Sequence, residues 1–105
     1  MKTVGIVTKY NNNCIFCGRP SDAEHHLLFG RGVRKLADED GIKVPICEFC
    51  HTKSPVAQRV HDNTIAEKLS KIAGQLAWEK HCVASGNTED EARELFRKRY
   101  GRSYL

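Results

Sequence analysis

Two cysteine pairs of identical spacing, Cys14-x-x-Cys17 and Cys47-x-x-Cys50, constrain this chain more than any other feature. Thiolates spaced this way grip one metal ion from a tight turn, and two such turns complete a tetrahedron. The pattern predicts one closed, four-thiolate structural zinc site. The 29 residues from Gly18 to Ile46 exceed what a zinc ribbon needs, so the insert carries structure of its own. A chain of 105 residues buries only a modest core, and small domains lean on such staples. Cys82 is left over, near the end of an amphipathic stretch, and reads as a small buried side chain. One metal site plus one free thiol suits a reducing compartment. No stretch is long enough to span a bilayer, and the N-terminus has no apolar leader. The expectation is a soluble, cytoplasmic protein without a membrane partner.

The pattern of elements is α+β. It predicts one domain over 1–105, with a zinc-stapled core over 1–62 and C-terminal helices over 63–105. Alternation of Val4, Ile6 and Thr8 suggests a strand over 2–10. A strand is expected from Ala23 to Phe29, broken by Gly30-Arg31-Gly32, and a helix from Val33 to Asp40 stopped by Gly41. Ile42 to Ile46 reads as a short strand delivering Cys47, with Pro45 marking it as an edge. Cys50 to Arg59 begins as a helix that Pro55 limits. Two capping boxes, Thr64 with Glu67 and Thr88 with Glu91, open the last two helices. The first is expected to bury Ile65, Leu69, Ile72 and Leu76, with Trp78 in the core, and the second to carry Ala92, Leu95 and Phe96. The two helices form a hairpin against the metal-bound half.

Histidines gather around the second cysteine pair. His25 and His26 sit mid-strand, and His51 follows Cys50 into the first turn of the next helix. An imidazole pair on a strand facing one on a helix suits a second metal site. Neighbours on a strand point to opposite faces, so both face one ion only where the strand twists or bulges. His61, ten residues beyond His51, is open to metal, phosphate or capping roles. The net charge of +4 permits a nucleic-acid partner, with Arg31, Arg34, Lys35 and Lys53 as the candidate phosphate contacts.

The order Cys-x-x-Cys, Glu24-His25-His26-Leu27, Gly41-Ile42-Lys43-Val44-Pro45-Ile46, Cys-x-x-Cys-His51 and a Tyr100-Gly101-Arg102-Ser103-Tyr104-Leu105 tail resembles the small HNH endonucleases of phages and prophages, also called ββα-metal or His-Me finger nucleases. The likeness covers Cys14 to the C-terminus, although the middle Asn of the HNH pattern has no clear counterpart near Ile42 to Pro45. It implies a zinc-stapled ββα-metal core and metal-dependent hydrolysis of DNA phosphodiester bonds, leaving a 5′-phosphate and a 3′-hydroxyl. It also implies His26 as general base and His25 and His51 as ligands of one divalent ion (magnesium, manganese, nickel or zinc), with the roles of His25 and His26 open to exchange. His61 joins them as a fourth catalytic candidate. Two imidazole ligands favour the transition metals over magnesium. The alternatives are a non-catalytic, zinc-finger-type nucleic-acid-binding module, and an adaptor whose helices present an apolar face to a protein.

Overall fold

A computed structural model describes residues 5–105. The elements run β1 (Ala23–His26), α1 (Val33–Asp40), β2 (Lys43–Ile46), a π-turn (Phe49–Lys53), a short 3-10 turn (Val56–Gln58), α2 (Thr64–Ala84) and α3 (Glu89–Tyr100). This is the expected α+β class. Residues 2–4 of the anticipated first strand lie outside the described residues, and 5–10 form bends and turns, pinned by Ile6 N–H donating to Gly41 O at 2.9 Å.

Local signals fixed several boundaries. Gly41 closes α1 in the left-handed region at φ 72°, and its N–H returns to the carbonyls of Ala37 and Asp38. Thr88 and Glu91 form the full reciprocal capping box of α3. At α2 the cap sits one residue earlier than expected: the Asn63 side chain, not Thr64, accepts from Ala66 N–H at 3.2 Å. The region after Cys50 does not form a regular helix. Ser54 N–H reaches back to Phe49 O, which widens the turn, and Pro55 ends it.

β1 and β2 pair antiparallel with His25 opposite Val44 and His26 opposite Lys43. Side chains alternate, so Ala23, His25, Val44 and Ile46 share one face while Glu24, His26 and Lys43 share the other. Leu27, Leu28, Ala37, Ile42, Val44, Phe96 and Tyr100 form the main core, with Trp78 packed on its side. A second cluster is built from Cys14, Ile46, Cys47 and Val60. Asp40 ties α1 to the hairpin: Trp78 Nε1–H, Arg99 Nε–H and Tyr100 O–H all donate to its Oδ2 at 2.6–3.0 Å.

Of the expected buried stripe of α2 only Ile72 is partly buried. Ile65 is 71% exposed and Leu69 59%, and Leu76 is also exposed. On α3 Leu95 is exposed, while Ala92 and Phe96 are buried. The inward face of α2 is Ser70, Gly74, Gln75 and Glu79. Close approach explains the choice. A Cβ on Gly74 would lie 2.8 Å from Leu28 Cγ and 3.0 Å from Leu27 Cβ. Gln75 holds the tail, accepting from Tyr104 N–H at 2.6 Å and donating to Ser103 Oγ at 2.9 Å. Ala is the better helix former by about 1 kcal/mol. Gly74→Ala is nevertheless expected to lower stability by about 1–2 kcal/mol through overpacking. Urea denaturation checks this, and a neutral or stabilised variant would refute the close contact.

Candidate metal centres

The first knuckle is a tight loop. Cys14 N–H donates to Arg19 O at 2.7 Å, Gly18 N–H to Cys14 O at 2.9 Å, and Ile15 N–H to Pro45 O at 3.0 Å, which docks the loop on β2. The second knuckle begins where β2 ends, and Asp22 Oδ1 accepts from Glu48 N–H at 2.8 Å. The four sulfurs converge, all within 4.8 Å of one another, with Cys17 and Cys47 3.6 Å apart. Two sulfurs of a tetrahedral zinc–thiolate site are about 3.8 Å apart, so the spacing fits such an ion. Burial pushes the Cys14 thiol up, but N–H groups of Cys47, Cys17 and Phe16 more than offset this and bring it to about 6. Cys50 goes to about 12 because of burial and its neighbouring thiols. Crowded thiolates of this kind need a cation to coexist. Cys82 is half-buried and apart from this group, with Asn87 Nδ2 donating to its sulfur at 3.3 Å.

A second convergence lies alongside. Ligand nitrogens of His25, His51 and His61 are within 4.8 Å of one another. Each arrives from a different element. His25 comes from the inward face of β1 and His51 from the π-turn after Cys50. His61 comes from the following loop, which pairs with that turn through Val60 N–H to Cys50 O and His61 N–H to His51 O. Arg59 braces the loop by donating to the carbonyls of Thr52, Ser54 and His61. His25 Nδ1 is 3.2 Å from His51 Nε2. Two nitrogens on one tetrahedral zinc are about 3.3 Å apart, so these residues also fit an ion. Burial, then the neighbouring imidazoles, lowers His25 to about 3, and burial lowers His51 as well. Both therefore favour the neutral form that binds metals. Phe29 packs against His25 and His61, and Lys71 Nζ lies 4.7 Å from its ring centre.

The anticipated strand pair of imidazoles does not face His51. Only His25 does, as strand alternation required, and His61, whose role the sequence left open, completes the cluster. His26 lies on the opposite face of β1, its Nε2 3.0 Å from Asp38 Oδ1. Asp38 also accepts from Nζ of Lys43, which is 1% exposed. Hydrogen bonds from His26, then from Lys43, hold Asp38 down at about 2. Glu24, His26, Arg34, Lys35, Asp38 and Glu39 line an open depression of about 600 Å³. Arg31 is exposed ahead of α1, and Lys53 is exposed and paired with Glu48 at 2.6 Å. Asp38, Glu67 and Ser70, which contact the histidines, were not signalled in the sequence. The small-residue spacing of Ser70 and Gly74 on α2 was the one available hint.

The architecture is thus a small α+β fold holding a four-cysteine cluster able to bind a metal such as zinc, next to a three-histidine cluster. No family model, curated protein or solved structure matches the chain. Among the described residues no helix is long and apolar enough to cross a membrane.

Proposed function

We propose that this protein is a metal-dependent endonuclease of the HNH type that hydrolyses DNA phosphodiester bonds. The observation carrying this reading is the convergence of His25, His51 and His61 beside the four thiols. In this reading the cysteines would hold a structural zinc, and the three imidazoles would hold a second divalent ion. Such an ion would supply charge neutralisation at the scissile phosphate. His51 and His61 are partly exposed, which leaves the cluster reachable from solvent.

His26 is the proposed general base. Asp38 fixes one ring nitrogen, leaving Nδ1 to take a proton, in the way a carboxylate orients a catalytic imidazole. Arg34 and Lys35 line the same depression as His26, on the face of β1 opposite the three-histidine cluster, where they would hold the DNA backbone beside the base. Arg31 and Lys53 would extend the contact to the DNA backbone.

The separation of His26 from the three histidines favours a second reading, a non-catalytic nucleic-acid-binding module using the same basic residues. A supercoiled-plasmid nicking assay decides between them. Nicking is expected with manganese, nickel or zinc at least as well as with magnesium, and His26→Ala is expected to lose about 10²–10⁴-fold in rate. A folded protein that binds DNA with steep salt dependence but cuts no duplex, single-stranded or branched substrate is the binding module instead.

A further inference from the structure

We infer that Ser70 is a positioning residue of the histidine cluster: it dictates which nitrogen His25 presents to a metal ion. The Leu27 carbonyl oxygen can only accept a hydrogen bond, and Ser70 Oγ lies 2.8 Å from it. The single hydroxyl hydrogen of Ser70 is therefore directed there. The same Oγ lies 2.8 Å from His25 Nε2, so at that contact the serine accepts and Nε2 carries the hydrogen. A neutral imidazole has one N–H, which leaves the lone pair on Nδ1. Nδ1 is the atom 3.2 Å from His51 Nε2. His25 is 1% exposed and Ser70 8%, so water does not compete for either bond.

Glu67, one turn earlier on α2, stands in the same relation to His61. Its Oε2 lies 3.5 Å from His61 Nδ1 and accepts from Asp62 N–H at 3.2 Å. A carboxylate favours the Nδ1–H form and leaves Nε2 of His61 for the cluster. The first turns of α2 thus supply the outer partners of two of the three histidines, and Gly74 sets how closely that helix sits. This inference deepens the metal-binding half of the proposed function and is independent of whether DNA is cut.

The test uses the full chain with its cysteine site filled with zinc. Long-range ¹⁵N–¹H NMR of the imidazoles, before any second metal is added, is expected to show His25 as the Nε2–H tautomer. Cobalt titration followed by visible absorbance is expected to show about 10–100-fold weaker binding at the histidine site in Ser70→Ala. Ser70→Thr, which keeps the hydroxyl, is expected to restore both the affinity and the tautomer. An Nδ1–H tautomer in the unaltered protein overturns the inference without need of any variant. So does a Ser70→Ala protein with unchanged cobalt affinity. A chain that passes both measurements but never cuts DNA sinks the nuclease reading alone.

Discussion

Replacing Cys47 with serine is expected to release one equivalent of zinc and to unfold the knuckle half of the protein. The reason lies in what that half is made of. Its hydrophobic cluster consists of Cys14, Ile46, Cys47 and Val60, so two of its four members are the thiols themselves. Little apolar surface remains to hold residues 11–20 against β2 once the ion is gone. Structural zinc sites contribute about 10–16 kcal/mol of apparent binding energy in small zinc-folded peptides, and that energy is folding energy here. Even a loss of about 4 kcal/mol lowers the Tm of a domain this size by roughly 15–30 °C. The main core joins α1, β2 and α3 through Ala37, Val44 and Phe96 without a thiol, so much of the helical signal should persist. Calorimetry, circular dichroism and zinc analysis check the prediction. A variant that keeps its zinc equivalent and melts within a few degrees of the parent contradicts it.

The second large effect is expected at His51. His51→Ala removes the ligand that joins the zinc knuckle to the histidine cluster, yet touches no sulfur. Loss of one of three imidazoles should leave the four-cysteine site filled and the fold intact. Under the proposed function, metal-dependent cleavage should fall by about 10²-fold or more, because charge stabilisation of this kind acts mainly in the transition state. His25→Ala and His61→Ala should behave alike, and the double variant should lose little beyond either single one, since the ligands act as a unit. A His51→Ala protein that cuts at the parental rate with the same metal preference would place the chemistry elsewhere.

The elements governed by neighbours in sequence were legible in it. Gly41 stops α1 and Thr88 opens α3 through bonds that span only a few residues. Strand alternation already required His25 and His26 to diverge, and they do. The inward face of α2 was not legible. Ile65, Leu69 and Leu76 recur at helical spacing, yet that face looks outward. The helix approaches Leu27 and Leu28 too closely for a large side chain at Gly74, and the polar groups of His25 and the C-terminal tail need Ser70 and Gln75. His61 was similarly ambiguous, because long-range backbone pairing with the π-turn, rather than spacing, brings it to His51. The partner of His26 was hidden for the same reason. Asp38 reads as one more exposed helix carboxylate until the sheet places His26 and Lys43 beside it.

The most direct test of the account is a count of metal ions per chain. Elemental analysis after equilibration with excess zinc and desalting is predicted to give two equivalents for the parent. It should give one for a His25→Ala, His51→Ala, His61→Ala triple variant that keeps its cysteine-bound zinc. One equivalent in both proteins would contradict the second metal centre, and with it the metal-dependent chemistry built on those three histidines.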